Sequence, residues 1–376
     1  MVKIMPVFGT RPEAIKLAPV IRELRRCAWV QLQVCVTAQH REMLDQVLAV
    51  FDIKPSFDLD IMRAGQDIAD VTSRVILGLR DIFKAEKPDM ILVQGDTTTV
   101  FAAALASFYE GVRVGHVEAG LRTRAKTNPF PEEINRRLTS VLADVNFAPT
   151  ERSRDNLIKE GYDKNSIVVT GNTVIDALFW ALDIIQRKPD AEVQKIQEWV
   201  EKTVGEKKVI LVTAHRRESF GAVFRDMFTA MKKLARMYGE VHFVYPVHLN
   251  PNVRKPALEI LEGIDNFHLL EPMSYVPFVW LMKRSHIILT DSGGIQEEGP
   301  SLGVPVLVMR ETTERPEGVI AGTSILVGRS EEKIVSNIKL LLDDQDAYRK
   351  IAQIANPYGD GEASGKIVSF LENYFS

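Results

Sequence analysis

A chain of 376 residues, 45% hydrophobic and 26% charged, is ordinary for a globular protein and long enough for two domains. Its formal net charge of −3 provides no basic field for nucleic acid, and no basic amphipathic stretch suggests a membrane surface. No run approaches the roughly 18 apolar residues of a spanning helix. The opening run to Phe8 lacks the features of a secretion signal, and Cys27 and Cys35 make no disulfide framework, so a cytoplasmic protein is expected.

Short apolar runs alternate with longer amphipathic ones. Strands are expected at 3–8, 31–37, 90–94, 112–117, 145–148 and 167–170, with helices at 13–26, 41–51, 67–84 and 98–109. The pattern then restarts, with strands at 208–213, 241–246, 267–270, 287–290, 304–308 and 324–327. Helices at 223–238, 251–262, 275–283, 295–302 and 331–343 lie between them, and a polar, mostly helical segment at 186–207 separates the halves. Alternating strands and helices imply parallel βαβ units. The expectation is an α/β chain with two doubly wound, Rossmann-like domains facing a central cleft. The first covers residues 1–170, with a C-terminal helix at about 360–376 packing back on it, and the second covers 171–359.

Ligands of open parallel sheets bind at the carboxyl ends of the strands, so candidate residues are sought there. Gly9-Thr10-Arg11-Pro12-Glu13 follows the first strand; Pro12 suits a first helical turn, and Arg11 and Lys16 supply cations near a helix N-terminus. An ordinary βα turn accounts for it equally well. Asp96 ends another strand, that at 90–94, where it can also serve as a cap. Glu118 leaves the strand after that, and a charge at the lip of a buried strand is costly unless paired or used. His116 shares its strand parity, but no third metal ligand with sensible spacing is visible. Glu132 and Glu133 open a helix after Pro131, and Arg136 lies four residues beyond Glu132 on one face.

In the second half, His215 ends a strand just before Arg216 and Arg217 and is suited to a diphosphate oxygen or a proton transfer. His248 is a weaker candidate of the same type. Thr290-Asp291-Ser292-Gly293-Gly294 is the strongest local signal: a strand ends, two glycines free the backbone, and a helix begins whose N–H groups can cradle a phosphate. Glu298, one turn inside, can accept from a ribose diol, and Arg315 can clamp an anion.

The stretches 7–16, 37–46, 95–99, 115–123, 131–133, 170–177, 215–220, 245–252, 290–298 and 315–317, in order along nearly the whole chain, resemble the non-hydrolysing UDP-N-acetylglucosamine 2-epimerases of bacteria and archaea. The resemblance implies the glycosyltransferase-B-like fold and interconversion of UDP-GlcNAc and UDP-ManNAc for cell-surface polysaccharides. The reaction it implies is anti elimination of UDP to 2-acetamidoglucal followed by re-addition. It implies no cofactor, no required metal, a homodimer, and UDP-GlcNAc as allosteric activator. Carried over, Asp96, Glu118 and Glu132 match the acid–base carboxylates and His215 the diphosphate histidine. Arg11, Lys16, Arg136, Phe278, Ser292, Gly293, Gly294, Glu298 and Arg315 fall to substrate binding, and Gln39, Gln66, Arg216 and His248 to the activator pocket. The loop 122–130 is more basic than is usual in the family, and Phe130 stands where Trp is common. That suits an epimerase for a diacetamido-uronic acid sugar nucleotide. Two further activities share this architecture: a hydrolysing epimerase, which lets water reach the intermediate, and a retaining glycosyltransferase, which needs an acceptor site.

Overall fold

Apolar runs closed off by glycine set this architecture. From Ile4 onward every residue of β1 (Val2–Phe8) is buried, as a strand covered on both faces requires. The computed structural model describes all residues but Gln39, His40, Ala64 and Lys188, and all described side chains but that of Glu42.

The first sheet contains β1, β2 (Val30–Leu32), β3 (Cys35–Val36), β4 (Phe57–Asp58), β5 (Met90–Gln94), β6 (Arg113–Val117), β7 (Val145–Ala148) and β8 (Ile167–Val169). Its order is β4-β3-β1-β5-β6-β7-β8, with β2 also pairing with β1, and its strand pairs are parallel. The strand expected at 31–37 is broken in two. Val2 registers with Val30, and Val7 with Cys35. Between them, the Val34 carbonyl turns to the amides of Ser56 and Phe57, at 2.7 and 3.1 Å. β4, only two residues long, has no periodicity to read.

The second sheet contains β9 (Lys208–Thr213), β10 (Val241–Pro246), β11 (Phe267–Leu270), β12 (Ile287–Thr290), β13 (Val306–Val308) and β14 (Ser324–Leu326), all parallel, in the order β11-β10-β9-β12-β13-β14. Its core joins Ile210, Phe224, Phe228, Phe243, Tyr245 and Leu289.

The chain divides into two units, Met1–Ala177 with Tyr358–Ser376, and Leu178–Pro357. In the first, Asp176 fixes the returning C-terminal helix Ala363–Phe375. Its carboxylate accepts from the Ser364 amide at 2.7 Å, the Ser364 hydroxyl at 2.5 Å and the Ala363 amide at 3.2 Å.

Each sheet changes direction once. The chain moves outward from β1 to β3 and β4, then returns to β5 on the other side. It moves from β9 to β10 and β11, then returns to β12. The crevice outside such a switch point is where open α/β sheets bind ligands. In the first unit it is flanked by the turns after β1 and β5, and in the second by those after β9 and β12.

Candidate active site

In the first unit, Asp96 follows β5 and Glu118 follows the adjacent β6. The Arg136 guanidinium pairs with the Asp96 carboxylate, and Asn135 Nδ2 donates to the Asp96 carbonyl at 3.0 Å. Both partners lie on the helix Glu132–Leu142, which therefore holds Asp96 from side chain and backbone. Glu118 is nearly enclosed, its side chain 7% exposed. Its carboxylate pairs with Lys16 and accepts from Gln94 Nε2 and, at 3.0 Å, from Asn172 Nδ2. Its φ is +66°. A left-handed glutamate is strained, and such strain persists only where the surroundings over-determine it.

Glu13 was not among the sequence candidates. Its carboxylate accepts from the amides of Gly9 at 2.6 Å and Thr10 at 2.9 Å, and from the Thr97 hydroxyl. Burial, against the lowering effect of those bonds, pushes the carboxyl up to about 7. The turn after β1 therefore gives two of its N–H groups to the helix's own third residue, half of a capping box. Lys16, expected as an anion-holding cation, is paired with Glu118. Arg11 opens the same helix and is half-buried.

Glu132 and Glu133 separate clearly. Glu133, buried, accepts from the amides of Thr123 at 3.0 Å and Arg124 at 3.1 Å and lies 3.5 Å from Arg136. It anchors the basic loop. Glu132 is half-buried at the helix start. His116 is fully buried and donates from Nε2 to the Gly95 carbonyl at 2.8 Å. Burial pulls its imidazole down to about 4, so it is a neutral prop for the Asp96 turn.

In the second unit the His215 ring has an orienting partner that sequence reading missed. Asp291, wholly buried, accepts at one oxygen from the amides of His215 at 2.6 Å and Arg216 at 2.8 Å. Its other oxygen lies 3.1 Å from His215 Nδ1. Burial works to raise Asp291, but the bond and charge of His215 and the two amides outweigh it, and the carboxyl sits below its ordinary value. With Nδ1 directed at Asp291, Nε2 is the nitrogen left for a ligand. His248 stacks on His215 with centroids 5.7 Å apart, and Arg216 follows His215 directly.

Gly293 lies in the turn after β12. A Cβ there would fall 2.5 Å from Arg315 Nη1, so only glycine lets the guanidinium close over this turn. Arg315 bonds to Glu297 at 2.6 Å and to Glu314 at 2.7 Å. Glu314 also meets Arg310 at 2.7 Å and Arg216 at 3.6 Å. Burial opposes its ionisation, yet the three arginines hold it down at about 2. Ser292 and Gly294 complete the turn, and Gln296 Nε2 donates to the Ser292 carbonyl at 3.0 Å. One oxygen of Glu298 accepts from the Tyr275 hydroxyl at 2.7 Å. Burial and then the Glu298 charge raise Tyr275 well above its ordinary value. Phe278 is three residues beyond Tyr275 on the helix Tyr275–Arg284, on the same face.

The structure thus joins Asp96 to Arg136 and Glu118 to Lys16 in one unit, and groups His215, Arg216 and His248 in the other. Gln66 belongs to the first unit and accepts from the Arg63 amide at 3.0 Å; Gln39 lies outside the described residues. Among the described residues no cluster of three or more His, Cys, Asp or Glu could hold a metal ion. None of their helices is long and apolar enough to cross a membrane.

Two parallel-sheet α/β units with these turns define a glycosyltransferase-B-like protein. The family model for UDP-N-acetylglucosamine 2-epimerase matches residues 22–372, and the chain belongs to that family. A UDP-N-acetylglucosamine 2-epimerase of Yersinia pestis is 55% identical over 372 residues, 99% of each chain. The crystal structure of the Neisseria meningitidis UDP-GlcNAc 2-epimerase bound to UDP-GlcNAc aligns with a TM-score of 0.93 at 51% identity, covering 99% of this chain and 100% of that one. The Methanocaldococcus jannaschii enzyme in complex with UDP-GlcNAc and UDP aligns at 0.83 and 32% identity, with 99% and 100% covered.

Proposed function

We propose that this chain reversibly converts UDP-GlcNAc to UDP-ManNAc by anti elimination and re-addition of UDP. The carrying observation is the pair of carboxylates at the ends of adjacent strands, Asp96 on Arg136 and Glu118 on Lys16. In the elimination a base takes the C2 proton. Its bond electrons form the C1–C2 double bond, and the C1–O bond breaks with its electrons leaving on UDP. In the return, UDP oxygen attacks C1 and a proton reaches C2 from the opposite face. Two faces require two proton carriers, and Asp96, Glu118 and Glu132 supply the candidates.

The leaving group is a diphosphate, so fixed positive donors lower the barrier as charge develops. His215 Nε2, the N–H groups of Gly293 and Gly294 and Arg315 fill that part, with Arg11 a further cation; the Ser292 amide is spent on the Thr290 hydroxyl at 2.9 Å. Glu298 takes the ribose diol and Phe278 contributes an apolar wall. The relatives bound to UDP-GlcNAc, or to UDP-GlcNAc with UDP, support this assignment. Gln39, Gln66, Arg216 and His248 belong in this reading to an activator site for UDP-GlcNAc. The protein works as a cytoplasmic homodimer supplying ManNAc units for surface polysaccharide.

The reading with a uronic acid substrate is weakened by Arg122. Its side chain is 2% exposed. Its guanidinium holds both oxygens of Glu160 at 2.9 Å, so the loop's first cation is already engaged.

The test is incubation with UDP-GlcNAc in D2O, followed by NMR of the C1 and C2 protons. UDP-ManNAc with deuterium at C2 in both sugars is expected. Free ManNAc with UDP would mean hydrolysis, and unchanged substrate would refute the proposal.

A further inference from the structure

The Glu13 carboxylate does more than cap its own helix. A capping box needs only local amides, and those of Gly9 and Thr10 already satisfy it. Yet the second carboxylate oxygen takes the hydroxyl of Thr97, 84 positions away, which sits across the switch point of the sheet. Thr97 is the N-cap of the helix Thr98–Tyr109, where its hydroxyl oxygen also accepts from the Val100 amide at 3.3 Å. It is directly bonded in sequence to Asp96. Glu13 is 1% exposed, so water does not compete for these bonds. One buried group therefore fastens the turn after β1, which leads into Arg11, to the turn after β5, which carries Asp96.

We propose that Glu13 is a positioning residue for the reaction, acting through Thr97 to fix the Asp96 carboxylate against the Arg11 end of the first helix. The inference rests on the C2-epimerisation reading. Asp96 is held from its other side by Arg136 and Asn135 on the helix Glu132–Leu142. His116 and the Val117 carbonyl hold Gly95 on the near side of the turn. The Glu13–Thr97 bond holds its far side, and its loss frees the Thr97 end of the turn from the first helix. Small misplacements of a reacting group cost rate steeply, by up to about 100-fold for 1 Å.

The test uses the full chain as Thr97→Val, Thr97→Ser and Glu13→Gln, each checked for folding by thermal melting. Deuterium entry at C2 and turnover of UDP-GlcNAc are then measured. Thr97→Val keeps the size of the side chain and removes the hydroxyl. It is expected to lower kcat about 10-fold or more while KM stays within about 2-fold, the pattern of an interaction realised at the chemical step. Thr97→Ser retains the hydroxyl and is expected to restore most of kcat. Glu13→Gln, whose amide cannot accept on both sides, is expected to fall with Thr97→Val. Combining Thr97→Val with Glu13→Gln should add little, since both break one link. If wild-type protein leaves C2 unlabelled, the functional reading fails and takes this inference with it. If wild type labels C2 but folded Thr97→Val turns over normally, this inference alone is overturned. A loss in which KM rises and kcat holds would overturn it too.

Discussion

The orientation of His215 can be tested with a one-atom change, Asp291→Asn. In the native site one Asp291 oxygen receives two amides, at 2.6 and 2.8 Å, and the other faces His215 Nδ1 at 3.1 Å. An asparagine has one carbonyl oxygen to place. Setting its NH2 toward the two amides would leave two buried donors unsatisfied, at about 1–3 kcal/mol each. The carbonyl therefore takes the amide side, and the NH2 faces Nδ1. Two donors cannot face each other, so His215 must carry its proton on Nε2, and its doubly protonated form loses its counter-ion. The interaction given up is a hydrogen bond to a charged group, worth about 1.5–3 kcal/mol. If it acts on the departing diphosphate, kcat falls by about 10- to 150-fold. Two measurements check this: turnover of UDP-GlcNAc and the 15N shifts of the His215 ring. A variant with wild-type kcat, or one in which Nδ1 keeps its proton, would refute the reasoning.

Lys16→Met should leave Glu118 buried without its cation, and removing one partner of such a pair costs about 3–5 kcal/mol; urea unfolding with an unchanged midpoint would show the pair to be worth little. Gly293→Ala puts a methyl 2.5 Å from Arg315 Nη1. Displacing that guanidinium should weaken UDP binding about 10- to 100-fold by calorimetry, the loss of one charge-assisted bond, while melting changes little. Stability against pH should reveal two opposing groups in the first unit. Glu13 is raised from 4.5 to about 7, so its contribution is complete below pH 4.5 and is lost as pH rises to about 7. His116 is lowered from 6.5 to about 4, so its contribution is complete above pH 6.5 and is lost as pH falls to about 4. Each is worth about 3 kcal/mol, and between pH 4.5 and 6.5 they offset each other. Glu13→Gln removes the first, so the variant should lose stability steeply on acidification where wild type does not. Parallel urea titrations with equal slopes against pH would contradict this.

The parts of the site that lie along the chain were readable; the parts that cross the sheet were not. β5 is an unbroken buried run that ends at Gly95, so Asp96 could be placed at a strand end from its neighbours alone. The same reasoning located Glu118, His215 and the Ser292–Gly294 turn. Glu13 looked like an ordinary first-turn acid, because nothing local shows that it reaches Thr97. Asp291 was seen inside its motif but without its partner 76 positions earlier. Asn172 and Asp176 belonged to a recognisable stretch without a physical task. The structure gives them Glu118 and the C-terminal helix to hold.

The two missed carboxylates share one geometry. Glu13 runs from the turn after β1 to the turn after β5, and Asp291 from the turn after β12 to the turn after β9. Each spans the switch point of its own sheet. At a switch point the two flanking strands are neighbours, but their turns lead into helices on opposite faces, so no backbone ladder joins the turns beyond the last strand pair. A short buried acid can bridge that gap by accepting several donors at once, which an amide or hydroxyl cannot do as well. The bridge places a buried acid beside a residue of the proposed site: Asp96 in the first unit, His215 in the second. The repetition in two distinct sheets argues that these acids serve the site. A capping role alone would not carry Glu13 to Thr97, and a core role would not leave a wholly buried Asp291 ionised against His215.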